Sequence, residues 1–389
     1  MVRKILAAFI LVTAFALTSS AQIRFAYDVN FDFRFDNREY DRSGFQQSMT
    51  LFGARLAPSV GFNAEVGNVS HRLMAGVDAL SQFGTVDKEL RCNLMFWYQL
   101  GMKFRETDFR LSAGLIPRSF SKGDWSPLFF SDYLKFYDNR FEGLLLSWER
   151  PKSRFELGLD WIGVADGARR EEFIVFTSGR VRPLRWLKVG WEAYMLHYAC
   201  SEIVKQVNDN ILAEPYVTFD FAPLTGIQEL SLKGGWIQTL QRDRANIGHY
   251  VAPFAGEVVA TLQHWGAGVR NRLVIGRNLM PYSRHVDAAG VPYGGNFYLG
   301  DPFYELVDPR REDWKDVGDG STSAIQGGLY DRLEIYYAPK ICAGLHLRAS
   351  VFFHFHRRQY SGTNQAVSLV FNLNELMDAV RERCSAAGD

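Results

Sequence analysis

The sequence predicts an all-β chain closed into a transmembrane, antiparallel, up-and-down β-barrel of about sixteen strands, within a range of about fourteen to eighteen. Three observations carry that expectation. Large apolar and charged residues alternate with a period of two along many segments, which puts them on opposite faces of a strand. Tight polar turns alternate with longer loops, so that one rim has short turns and the other long loops. The chain opens on an export signal, and nothing after it is a long uncharged apolar run, which excludes helical membrane spans.

The signal comes first. Arg3 and Lys4 precede an apolar stretch, Ile5 to Leu17, and the small residues Ser19, Ser20 and Ala21. This is a secretory signal peptide cut near Ala21/Gln22. Residues 1–21 are therefore set apart from the barrel, 22–375, and from a C-terminal extension, 376–389.

The first strand is the clearest. In Arg24 to Asn37, Phe25, Tyr27, Val29, Phe31, Phe33 and Phe35 share one parity, and Arg24, Asp28, Asn30, Asp32, Arg34 and Asp36 share the other. Gln46 to Val66 reads as one long strand bent by a bulge at Pro58, because proline has no ladder donor. Weaker alternation runs through Leu73–Ala79, Leu94–Phe104 and Phe109–Leu115. It is clear again at Phe155–Trp161 and Leu187–Ala193, weak at Val217–Phe221, and long at Leu345–Phe355. Only the tail, Asn374 to Arg383, suggests a helical period.

Short turns fall at Gly67–Ser70, Arg105–Asp108, Arg150–Ser153, Arg182–Arg185, Ala222–Gln228, Trp265–Gly268 and Pro339–Gly344. Longer loops fall near 37–45, 81–89, 117–141, 164–171, 199–211, 242–251, 279–325 and 358–364. A soluble sandwich would need a second sheet over every oily face and protection for its edges. A closed barrel needs neither, since lipid covers the oily face and closure removes the edges. Lys or Arg on a lipid face costs about 2–4 kcal/mol near the midplane, so shared parity lets the charges of each strand point inward.

Without Arg3 and Lys4, the 44 basic residues become 42, against 43 acidic ones. That balance argues against a nucleic-acid partner. Aromatic residues make up 14% of the chain, a surplus that two interfacial girdles would use. Four scattered cysteines form neither a CxxC pair nor a disulfide framework. Cys342 and Cys384 meet only if they lie at the same rim.

Two segments carry a family resemblance. One is the third long loop, PRSFSKGDWSPLFFSDYLKFYDNRFEG, Pro117 to Gly143. The other is the final strand, with Val367, Leu369, Phe371 and Leu373 on one face. In these the chain resembles the bacterial outer-membrane porins, particularly the poorly characterised porin-like proteins of Gram-negative bacteria. The resemblance implies an outer-membrane location with short periplasmic turns and long extracellular loops. It implies a third loop folded into the lumen, a last strand read by barrel-assembly machinery, and a size compatible with a homotrimer. Family members usually end on an aromatic residue, whereas this chain continues from Asn374 through ELMDAVRERCSAAGD, which makes the tail a periplasmic appendage.

Parity places Arg24, Asp28, Asp32, Arg34, Arg72, Asp78, Lys103, Arg110, Glu156, Asp160, Lys188, Glu192, Arg332, Glu334 and Arg348 along the pore, with Lys233, Glu257, Arg270 and Arg272 further round. A wall of mixed charge holds water and creates a transverse field rather than a single-sign filter. In the third loop, Arg118, Lys122, Asp124, Asp132, Lys135, Asp138 and Arg140 would set the constriction, and loops 117–141 and 279–325 together would shape the pore. His354 and His356 share a strand face, yet no third ligand is identifiable, so neither metal nor cofactor is expected. No GxSxG nucleophile motif is present.

The expected function is passive diffusion of small hydrophilic solutes through a barrel in contact with outer-membrane lipid, without enzymatic activity. Two alternatives stay open. One is an outer-membrane barrel enzyme of protease or phospholipase type, drawing on His197, His285, His354 and Asp301. The other is a structural or receptor barrel with a blocked lumen.

Overall fold

The apolar parity of the first strand needs a continuous partner on each side, and the structure supplies both. β1 (Gln22–Tyr40) pairs with β2 (Met49–Val66) along its whole length and with β17 (Gln359–Asn372) from Asn30 onward. That double pairing closes the sheet. The computed structural model describes residues 22–40, 48–86, 90–167, 169–199, 201–202, 205–244, 249–280, 298–306 and 327–386.

Between β2 and β17 the staves follow in chain order, each antiparallel to the last. They are β3 (Val69–Gln82), β4 (Leu90–Phe104), β5 (Thr107–Pro117), β6 (Arg140–Arg150), β7 (Ser153–Gly163), β8 (Glu172–Leu184) and β9 (Leu187–Tyr198). Then come β10 (Asn208–Asp220), β11 (Glu229–Asp243), β12 (Phe254–His264), β13 (Ala267–Arg277), β14 (Gly327–Tyr337) and β16 (Leu345–His356). β15 (Lys340–Cys342) is a stub inside the β14–β16 turn, and β14 pairs directly with β16. Among the described residues the wall is thus a closed, up-and-down barrel of sixteen staves.

Three details depart from the sequence reading. Pro58 makes no bulge. The β2–β3 ladder steps from Leu56–Ala79 to Ser59–Gly76 in constant register, while β1 pairs straight through Val29–Pro58. The proline therefore leaves a local gap in the ladder without bending the strand. The segment 358–364 is not a loop. β17 begins at Gln359, after a two-residue turn in which Arg357 and Arg358 both have positive φ (48° and 66°). Primed turns match the strand twist, but neither residue is the Gly or Asn that normally marks one. Third, the inner end of loop 3 contains a short helix, Asp132–Tyr137, whose Ser131 hydroxyl accepts from Leu134 N at 3.1 Å.

The tail is helical from Leu373 to Ala386. It is tied to the short-turn rim by Asn374, which donates to Tyr27 O at 3.0 Å and to Asp28 at 3.1 Å. Cys342 and Cys384 are exposed free thiols. No described helix is long and apolar enough to cross a membrane.

The outer wall is oily and banded. Phe25, Phe62, Phe104, Trp265 and Tyr337 stand exposed toward the short-turn end, and Phe83, Trp161, Tyr250 and Tyr360 toward the long-loop end. Such girdles sit where rings meet both hydrocarbon and headgroups.

The interior departs from simple alternation. Toward the long-loop end, Ile174, Phe176, Tyr194, Leu196, Leu212, Ile237, Val274 and Tyr330 also point inward, and all are buried. They pack around Leu128, Phe129 and Phe130 of loop 3 and Tyr298, Phe303, Tyr304 and Leu306 of the 298–306 segment. The hydrophobic core of this protein lies inside its barrel.

Candidate functional site: a basic vestibule beneath an apolar plug

The inner face begins with fixed charge. By register, all fifteen pore-lining candidates fall on one continuous face of the closed sheet. The structure gives them different tasks. Glu156, Asp160 and Glu192 are buried; Glu156 and Glu192 accept from the backbone of loop 3, and Asp160 from the start of β6 just after it. Glu156 takes Lys122 N, Gly123 N (3.0 Å) and the Ser121 hydroxyl (2.9 Å). Glu192 takes Ser126 N at 3.1 Å, and Asp160 takes Glu142 N at 2.7 Å. Charge-assisted bonds of this kind are stronger than neutral ones.

The far wall holds the loop by its side chains. Arg272 donates to the Ser126 hydroxyl at 2.8 Å, Arg332 to Asp132 at 3.3 Å, and Arg34 to Asp132 O at 2.8 Å. Burial alone would raise the Asp132 carboxyl, but Arg332, Lys135 and Arg34 outweigh it and hold the group below the usual carboxylate range. Burial pushes the Lys135 ammonium down, against the opposing pull of Asp132 and Glu192. Arg118 lies under the loop's root, donating to Asp138 (2.8 Å) with its guanidinium 4.4 Å from the Phe141 ring centre. Lys122 and Asp138 are exposed, and Arg140 pairs with Glu142 at 2.6 Å.

Loop 3 is bolted to a second segment. Ser131 N donates to Leu299 O at 3.0 Å and Asp301 N to Pro127 O at 2.8 Å. Phe303 stacks on Tyr330 (5.1 Å) and on His354 (4.8 Å). His354 is held by Tyr330 at 2.8 Å and Asn364 at 3.0 Å, and His356 meets Leu306 O at 3.1 Å. The two histidines therefore serve the plug. Of the loop 279–325, residues 281–297 and 307–325 lie outside the described residues, His285 among them.

Beneath the plug lies a vestibule of ≈ 570 Å³. Arg34, Lys135, Arg180, Lys188, Lys233, Arg270, Arg272, Arg332 and Arg348 line it, against Asp124, Asp132, Glu229 and Glu334. Both signs are present, as parity indicates, with cations in the majority. Lys233 bridges Glu214 (2.6 Å) and Glu257 (3.1 Å), both wholly buried. Glu257 also holds Arg272 at 2.6 Å, and Glu334 holds Arg348 at 2.6 Å. Glu214 and Glu257 stand wholly buried behind Lys233 and Arg272, whereas Asp124 and Asp132 reach the water beside the cations. Arg24, Asp28, Arg72, Lys103 and Arg110 do not line this volume, and Asp78 is absorbed by Arg55 at 2.9 Å. Sequence reasoning missed Arg55, Arg180 and Glu214. It also missed the inward aromatics, whose signal was present in runs apolar on both parities, such as Phe173-Ile174-Val175-Phe176.

A separate polar group stands on the outer wall at the long-loop end. His197 Nδ1 is 3.4 Å from Asp209 Oδ1, and Asp209 also accepts from Arg244 Nε at 2.8 Å. His197 packs against Phe173 (4.8 Å), which stacks on Trp161.

The family model of the lipid A 3'-O-deacylase type matches residues 17–202. That family is one of enzymes, which corrects the expectation of a protein without enzymatic activity. No curated protein matches the sequence. Among solved structures, a loop-deletion mutant of OmpT, an outer membrane protein of Vibrio cholerae, is 11% identical, with a TM-score of 0.50 over 91% of this chain and 100% of that one. OccAB3 of Acinetobacter baumannii is 9% identical, with a TM-score of 0.43 over 90% and 99%. A mutant of the Rh. blastica porin is 10% identical, with a TM-score of 0.45 over 90% and 100%. Closed, sixteen-staved, oily outside and charged within, the chain has the fold of a bacterial outer-membrane β-barrel.

Proposed function

We propose that the barrel is a porin-like passage for small hydrophilic solutes, with a preference for anions, and that loop 3 with the 298–306 segment controls the way through. The observation that carries this reading is the vestibule, in which nine cations face four carboxylates around ≈ 570 Å³. A guanidinium has five donors, so one held by a single carboxylate keeps spare donors for a passing anion. A wall weighted to one sign in a water-filled constriction biases which ions cross. The test is the reversal potential of the purified protein in a planar bilayer under a KCl gradient. Anion selectivity is expected, and Arg270→Glu with Arg348→Glu should move it toward cations. A reversal potential at zero that neither change shifts would end the proposal.

A second reading rests on the family match. The pair His197–Asp209 sits at the outer end of the wall, where lipid esters are within reach, and His197 falls inside the matched residues. In this reading His197 Nε2 takes a proton from a water that attacks the ester carbonyl and passes it to the departing alcohol oxygen as fatty acid is released, while Asp209 orients the ring through Nδ1. Release of fatty acid from lipid A by the purified barrel, abolished in His197→Ala, would support it. Equal release by the variant would remove it.

A further inference from the structure

We infer that the outward face of β13 and β14 is a docking surface for a second copy of this chain, closed about a two-fold axis along the membrane normal by Asn271 and Asp331. The surface faces away from the lumen and takes no part in conduction or ester hydrolysis.

Two strands carry the observation. Arg270 and Arg272 line the vestibule, so Asn271 between them points outward. Tyr330 and Arg332 point inward, so Asp331 between them points outward as well. Asn271 Nδ2 donates to Asp331 Oδ1 at 2.7 Å across the β13–β14 ladder. The pair stands in an oily wall. On β13 the neighbouring outward positions are Val269, Leu273 and Ile275, and on β14 they are Leu329, Leu333 and Ile335. Asp331 itself is opposite Leu273 on one side and Phe355 on the other.

The pair is chemically unfinished. The amide of Asn271 has a second N–H and the carboxylate of Asp331 a second oxygen, and neither has a partner among the described residues. Nor does any described cation pair with Asp331. Arg270, Arg272, Arg332 and Arg348 are on the inner face and hold Glu334, Glu257 and Asp132. By contrast Asp209, the outward carboxylate of β10, has Arg244 at 2.8 Å. Hydrocarbon offers no hydrogen bonds, so polar groups facing it must be satisfied by protein.

A second copy supplies the missing bonds. Both copies of an exported barrel cross the membrane with the same polarity, so a two-fold between them runs along the membrane normal. Placed between β13 and β14, that axis sets β13 of one copy against β14 of the other, and Asn271 of each copy against the partner's Asp331. The four side chains then form a ring. Each amide donates both of its N–H groups, each carboxylate accepts two bonds, and the two carboxylates stand at opposite corners. The surface is thus self-complementary, as an isologous interface requires. Val269, Ile275 and Ile335, which are 40%, 53% and 49% exposed, flank the ring and keep lipid from it. A polar pair set in an apolar interface fixes register and copy number, here a pair of barrels rather than the trimer that the porin resemblance implies.

The experiment is sedimentation equilibrium of the full barrel in a density-matched nonionic detergent. A monomer–dimer equilibrium is expected. Asn271→Asp puts four carboxylates at the ring and Asn271→Leu removes its donors, so each should raise the dimer dissociation constant at least tenfold. Combining Asn271→Asp with Asp331→Asn restores the alternation of amide and carboxylate and should recover the native constant. Folding is checked by the compact, unheated band on a denaturing gel. Should Asn271→Asp fail that check, Asn271→Leu places an ordinary lipid-facing residue there and carries the test. A monomer at every concentration, a trimer, or an unchanged constant in the folded single variants would overturn the inference.

Discussion

Glu156 shows how much one inward side chain can decide. Its carboxylate receives two backbone amides and a hydroxyl of loop 3 while having no exposed surface of its own. Bonds to a charged acceptor are worth about 1.5–3 kcal/mol each, and the donors left behind add a desolvation cost. Glu156→Ala should therefore loosen residues 121–123 and speed tryptic cleavage after Lys122 at least severalfold, while the barrel keeps its heat-modifiable band. Unchanged cleavage would mean that the loop is held elsewhere. Asp132 makes a prediction about pH. Its folded-state pKa lies below the usual 3.8, so its contribution is complete above about pH 4 and is lost only as pH falls through the lower, folded value. Acidification from pH 7 to about pH 4.5 should thus leave the loop 3 anchor at Arg332 intact, whereas Asp132→Asn should raise current noise at every pH. Single-channel recording across that range checks both.

At the scale of elements, neighbouring strands fit by giving space as well as taking it. Gly158 on β7 sits across from Phe176 on β8, and a Cβ there would overlap the Phe176 ring. That ring in turn packs on Trp125 (5.7 Å) and Phe141 (4.8 Å). Gly158→Val should displace Phe176 from the plug, at about 1–3 kcal/mol of overpacking. The midpoint of urea unfolding followed by tryptophan fluorescence should fall accordingly, and an unchanged midpoint would show that the ring has room to move. Loop 3 and the 298–306 segment behave as one element. They share two backbone hydrogen bonds and one hydrophobic cluster, so cutting either should release both.

For the whole molecule, the combination of an apolar core inside the barrel and a basic vestibule below it sets the expected electrical behaviour. Opening requires the plug to yield, and replacing a buried Phe by Ala costs about 3–5 kcal/mol. The double variant Phe129→Ala, Tyr304→Ala should open more often and pass more current than the native protein, with anion preference retained because the wall cations are untouched. Identical currents in the two proteins would place the controlling contact outside the plug.

Much of this was legible along the chain because a strand has a period of two. The faces of β1, the closure of the sheet, the short-turn rim and the inward set from Arg24 to Arg348 all follow from parity, which is a local property. The two-residue turn at Arg357–Arg358 was hidden because positive φ was taken up by residues that seldom adopt it. What parity could not decide is distance across the lumen. Whether Glu192 meets Ser126, or Arg332 meets Asp132, depends on residues 66 and 200 positions apart being brought together by closure. The same holds for strands such as β8 whose outer ends are apolar on both faces. One face meets lipid and the other a folded loop, and only the tertiary structure supplies the second surface.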